Sequence, residues 1–133
     1  MNFETLIVEK GEDFVAEIVL NRPKRFNTFN TPLAAELGEA LKALDADREV
    51  RVIMIKGAGK TFCAGIDVTE LEGKSPTEYR EWIERMEEPL VAISRMKKPV
   101  IAKVHGVAAA NGMGLVASAD LCVAADSARF GLT

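Results

Sequence analysis

The chain has 133 residues, 17 of them basic and 20 acidic, for a net charge of −3, with 48% apolar and 28% charged positions. This length suits one small domain that buries roughly two-thirds of its unfolded surface, and the acidic balance argues against a general nucleic-acid binder, which needs a basic face. No apolar run approaches the ~20 residues that span a bilayer, and residues 1–10 lack a basic segment followed by an apolar one, so the expectation is a cytoplasmic protein with no signal peptide and no membrane partner.

In chain order, residues 5–9 and 14–20 are apolar runs joined by Lys10-Gly11-Glu12-Asp13, a hairpin signature. Thr31 and Pro32 predict an N-cap and first helical residue, and Leu33, Leu37, Leu41 and Leu44 follow at helical spacing to an end near residues 45–47. The β-branched run 50–56 predicts a strand covered on both faces. Ser75-Pro76-Thr77-Glu78 is a capping box that opens the longest helix. Tyr79, Trp82, Ile83, Met86 and Leu90 form that helix's apolar stripe, and both Tyr79 and Trp82 are read as core. Pro89 is expected to kink or split it. Lys97 and Lys98 sit where the C-terminal dipole favours cations, and Pro99 closes the segment.

A strand over 100–104, a short helix over 111–117 and a strand over 121–125 complete the pattern. Helices alternating with strands imply an α/β fold with crossover connections. The strand-like end at 129–133 has no terminating turn and is read as a cut chain. Cys63 and Cys122 are read as buried, reduced thiols. With a single histidine and no CxxC pair, no metal site is expected.

Two stretches carry the chemistry. Gly57-Ala58-Gly59-Lys60-Thr61-Phe62-Cys63-Ala64-Gly65-Ile66-Asp67 and His105-Gly106-Val107-Ala108-Ala109-Ala110-Asn111-Gly112-Met113-Gly114 each follow a strand and run through small residues toward a helix. Helix starts offer backbone N–H groups without intrahelical partners, suited to an anion or a developing oxyanion. Two such turns facing each other would aim two donors at one thioester oxygen. Neighbouring glycine patterns fit nucleotide sites poorly. Met54 stands where a P-loop ending in Gly59-Lys60-Thr61 needs glycine, and Gly112-Met113-Gly114 does not directly follow a strand. His105, the single histidine, is read as a hydrogen-bonded structural residue rather than a catalytic one.

Three segments in this order and spacing resemble the crotonase (enoyl-CoA hydratase/isomerase) superfamily: Asn21-Arg22-Pro23-Lys24-Arg25-Phe26-Asn27, Phe62-Cys63-Ala64-Gly65-Ile66-Asp67, and Lys98-Pro99-Val100-Ile101-Ala102-Lys103-Val104-His105-Gly106. The resemblance covers the N-terminal half of that family, over residues 1–133. It implies a spiral of strand–strand–helix turns, stopping before the C-terminal helices that build trimers and hexamers. It puts oxyanion donors at the amides of Ile66 and Asn111. It also lays coenzyme A, as part of an acyl-CoA substrate with no separate cofactor, along Lys24, Arg25 and Phe26 and the backbone of Ala64, Gly65, Ile66, Asp67 and Val68. Arg22, Lys24 and Arg25 read equally well as a solvated turn without that register.

The sequence departs from the family at two places. Asn111 stands where glycine is common, on the expectation that asparagine tolerates a left-handed backbone. Gly114 occupies the position of the first hydratase glutamate, and the second would follow Thr133. Asp67 is read as a helix N-terminal residue, and Glu70 and Glu72 as solvated rather than catalytic. The leading expectation is an enoyl-CoA hydratase or isomerase with this 133-residue chain itself inactive and self-associating. Against it stand a non-catalytic acyl-CoA-binding or interaction protein and a nucleotide-binding domain.

Overall fold

The computed structural model describes residues 2–132. Strands β1 (Leu6–Lys10) and β2 (Val15–Leu20) form the expected hairpin; α1 (Thr31–Ala46), β3 (Val52–Gly57), α2 (Pro76–Arg95) and β4 (Val100–Val104) follow. A short β5 (Val107–Ala109), α3 (Asn111–Ser118), β6 (Leu121–Ala124) and β7 (Arg129–Gly131) complete the chain. The main sheet has the order β1-β2-β3-β4-β6, antiparallel only at the hairpin, and β5 pairs with β7 in a second, two-stranded parallel sheet. Parallel neighbours with helical crossovers are what the alternating elements require. None of the described helices is long and apolar enough to cross a membrane.

The core forms on one face of the main sheet. Parallel register aligns Ile18 with Ile55 and Ile55 with Ala102. These join Leu33, Leu37, Leu41 and Leu44 of α1 and Trp82, Met86 and Ile93 of α2 in one cluster. The four α1 leucines are fully buried, each contributing ~1.5–3 kcal/mol by leaving water. The opposite face is only half covered: in β3, Ile53 and Ile55 are buried while Val52, Met54 and Lys56 are partly exposed. The expectation of a strand buried on both faces is therefore corrected, and Lys56 on the open side is ion-paired to Glu17 at 2.8 Å.

Other readings change in detail. The N-cap of α1 is Asn30, whose side chain accepts from the Leu33 N–H at 2.9 Å, because Thr31 is already helical. Phe14 lies in the hairpin turn at φ 66°, its ring under the Arg51 guanidinium. Helix α2 opens on the predicted Ser75–Glu78 capping box and runs unbroken through Pro89. The proline is buried, so its packing offsets the one hydrogen bond it forfeits. Tyr79 is exposed while Trp82 is core. Lys98 serves α1 rather than its own helix, its ammonium donating to the carbonyls of Leu44 and Asp47. Cys122 is exposed, not buried, because β6 is exposed along its whole length. At the chain end, β7 stops at Gly131; Thr133 lies outside the described residues.

Candidate functional site

The two turns singled out by composition lie against each other. Cys63 and Ala108 form a parallel bridge: the Cys63 N–H donates to the Val107 carbonyl at 3.1 Å, and the Ala109 N–H to the Cys63 carbonyl at 3.0 Å. This close approach depends on Gly112, where a Cβ would fall inside the shell of the Cys63 carbonyl oxygen. The segment Val107–Ala109 is thus a strand in its own right, which its small residues did not reveal in the sequence.

Each turn presents a peptide N–H directly after a residue with positive φ. Gly65 has φ 135° before Ile66, and Ala110 has φ 50° and ψ −115° before Asn111. A Cβ built on Gly65 would lie 3.2 Å from the Ala110 Cβ, so the two peptides are neighbours. Among the described residues, neither the Ile66 nor the Asn111 N–H has an acceptor. The flanking groups are engaged: Gly65 C=O accepts from Phe29 at 2.8 Å, Asp67 N–H donates to Phe29 at 2.7 Å, and Ala110 N–H donates to Gly131 at 3.2 Å. Ile66 and Asn111 are both half-buried, and two neighbouring N–H groups without an acceptor among the described residues suit an anionic oxygen. The left-handed residue is Ala110, not Asn111, which is the first residue of α3. That geometry costs alanine ~1–3 kcal/mol.

The first turn is braced by side chains. Asp67 caps a short 3₁₀ turn (Val68–Leu71), its carboxylate accepting from the Thr69 N–H at 3.1 Å and hydroxyl at 2.6 Å and pairing with Arg22 at 3.0 Å. The Thr69 hydroxyl first, and the Arg22 guanidinium after it, hold its carboxyl below the ordinary value despite opposing desolvation. Arg22 is therefore a tied, mostly buried group, whereas Lys24 and Arg25 are exposed. The basic turn meets the 64–68 segment through the Ala64 N–H, which donates to the Phe26 carbonyl at 3.0 Å. Phe26 and Val68 are both exposed, at 58% and 66%, on either side of this contact. Lys24 and Arg25 have no ion-pair partner among the described residues.

Two positioning residues escaped the sequence reading. Asn27 is fully buried at φ 55° and accepts from the Arg22 N–H at 2.8 Å. Its amide donates to Ala58 at 2.9 Å and Thr61 at 2.8 Å, clamping the basic turn to the glycine turn. Glu70 is not solvated: one oxygen accepts from the Trp82 indole at 2.8 Å and from the Thr31 N–H and hydroxyl at 2.8 and 3.0 Å. A buried Trp needs an acceptor, but its sequence does not say which. Glu72 is exposed, as read. His105 is hydrogen-bonded, its Nε2 2.7 Å from the Gly59 carbonyl, which requires the proton on Nε2.

Burial pushes the Cys63 thiol up to about 12, so it stays protonated behind the site. Gly114 faces Leu90 of α2 and supplies no titratable group. No group of three or more His, Cys, Asp or Glu side chains among the described residues is placed to hold a metal ion.

Comparison with known proteins identifies the family and the fold. Residues 10–133 match the enoyl-CoA hydratase/isomerase family. The chain is 40% identical to 1,2-epoxyphenylacetyl-CoA isomerase of Escherichia coli, across 98% of this chain and 50% of the relative. It is 33% identical to a probable peroxisomal enoyl-CoA hydratase of Arabidopsis thaliana, across 96% and 47%. An enoyl-CoA hydratase structure from Mycobacterium smegmatis superposes with a TM-score of 0.90 at 41% identity, covering 95% of this chain and 49% of that one. One from Bacillus anthracis reaches 0.92 at 30% identity, covering 98% and 51%. The chain spans about half the length of the curated relatives it matches. By sequence and by fold, this chain belongs to the enoyl-CoA hydratase/isomerase, or crotonase, family.

Proposed function

We propose that the protein binds an acyl-CoA thioester and stabilises an enolate-like oxyanion on its carbonyl oxygen with the N–H groups of Ile66 and Asn111. The observation that carries this reading is the pair of adjacent N–H groups following Gly65 and Ala110 that have no acceptor among the described residues. Each donor in such a hole is worth ~3 kcal/mol of transition-state stabilisation, because it is aligned before the charge develops. The exposed Lys24 and Arg25 and the Phe26 ring would lie along the phosphates and pantetheine arm, cations near a strongly anionic ligand. The backbone of Ala64, Gly65, Ile66, Asp67 and Val68 would line the rest of the nucleotide end. Coenzyme A enters as part of the substrate, and no separate cofactor takes part. The protein works in the cytoplasm as a homo-oligomer.

The chemistry proposed is that of an enoyl-CoA hydratase or isomerase, in which the hole lowers the cost of charge on the α-carbon and oxygen. Gly114 offers no acid or base, so proton transfer, worth ~10²–10⁴-fold, must come from a carboxylate elsewhere in the protein. The same glycine favours a second reading, a protein that binds acyl-CoA without turning it over. Calorimetric titration with a short acyl-CoA and with free coenzyme A, beside turnover of an enoyl- and acyl-CoA panel, separates the two. Binding with turnover supports the first reading, and binding alone supports the second. Absence of thioester binding removes both.

A further inference from the structure

The reading above uses the backbone of Asn111 and leaves its side chain unexplained. That side chain is directed at α2: Nδ2 donates to the Met86 carbonyl at 3.0 Å, three residues before Pro89. The peptide it adjoins is the strained one. Ala110 sits at φ 50°, ψ −115°, a conformation an alanine leaves readily unless its surroundings over-determine it. The Ala110 carbonyl accepts from Gly114 N–H at 2.9 Å, which sets the plane of the Ala110–Asn111 peptide. That bond belongs to the first turn of an eight-residue helix, where fraying is expected. The Asn111 amide is the additional tether, fixing the Cα of the same residue to a helix of 20 residues.

We propose that the Asn111 side chain is a positioning residue: its hydrogen bond to α2 holds the Ala110–Asn111 peptide in its strained orientation, keeping the N–H aimed at the thioester oxygen. This rests on the oxyanion role of that N–H. Aspartate at this position has the same shape but no donor, and would set a carboxylate against the Met86 carbonyl. Alanine and glycine lack the tether altogether.

The test is carbon NMR of a saturated acyl-CoA labelled with ¹³C at the thioester carbonyl, bound to the full protein and to Asn111→Ala and Asn111→Asp variants. Hydrogen bonding polarises the carbonyl and moves its resonance downfield, and this is readable whether or not turnover occurs. The parent is expected to show the downfield shift and both variants to lose at least half of it, with folding checked by thermal melting. Where turnover is measurable, kcat falls about tenfold with KM little changed, the pattern of a lost supporting contact. Variants that are folded and retain the full shift overturn the positioning role while leaving the two-donor reading intact. A parent whose bound carbonyl resonance does not move overturns the two-donor reading, and this proposal with it.

Discussion

The turn at residues 62–68 and the turn at 105–112 each place a peptide N–H directly after a residue with positive φ, and they do so by different means. In the first, a glycine supplies the positive φ at no steric cost, and side chains from Arg22, Asp67 and Thr69 brace the loop. In the second, an alanine takes a conformation it disfavours, and tertiary contacts hold it: the Gly131 carbonyl, the Asn111 tether to α2, and the close approach over Gly112. One turn is shaped by residue choice, the other by its neighbours. The second should therefore be the more sensitive to changes in packing, and the first to changes in charge.

The largest break in that comparison is expected at Gly112. In Gly112→Ala the new methyl meets the Cys63 carbonyl, which is backbone, so the clash cannot be relieved by rotating a side chain. Overpacking costs ~1–3 kcal/mol or more, and the helix-propensity gain of at most ~1 kcal/mol does not cover it. A net loss of about 2 kcal/mol in urea unfolding is predicted, with weakened acyl-CoA binding as the turns separate. A variant as stable as the parent would show that the two turns are not in contact.

Next in size is Ala110→Gly. Release of ~1–3 kcal/mol of strain, less ~0.5–1 kcal/mol for the added freedom of the unfolded chain, predicts a gain of about 1 kcal/mol and a higher melting temperature. Destabilisation instead would mean that Ala110 is not strained in solution.

The smallest effect is electrostatic. The Asp67 carboxyl is held below its ordinary value of 3.8, by Thr69 first and Arg22 after it. Its contribution is thus complete above that unfolded-state value and is lost as pH falls through the lower folded-state one. Asp67→Asn should show a shallower loss of stability on acidification over this window, and the parent and variant curves should converge at the acid end. Parallel curves would remove Asp67 as a brace of the first turn.

Much of this architecture was legible along the chain. Leucines at helical spacing place α1, the Ser75–Glu78 box places the start of α2, and the two small-residue turns stand out by composition alone. These signals are local, set by periodicity, capping chemistry and glycine. What was missed is non-local. Glu70 looks like any surface glutamate until α1 and α2 bring the Thr31 backbone and the Trp82 indole to it. Lys98 follows its own helix in sequence yet caps another, because α1 ends beside it. The strand at 107–109 has too few residues to show alternation and exists because β7 and Cys63 pair with it.

By itself, then, the sequence determined the hairpin, the leucine face of α1 and the capped start of α2, since these depend on residues within a few positions of one another. Only the tertiary structure decided that the Ile66 and Asn111 peptides lie side by side, and that an alanine rather than an asparagine bears the left-handed backbone. Those outcomes depend on backbone-to-backbone contacts between segments about 45 residues apart, which no local propensity encodes.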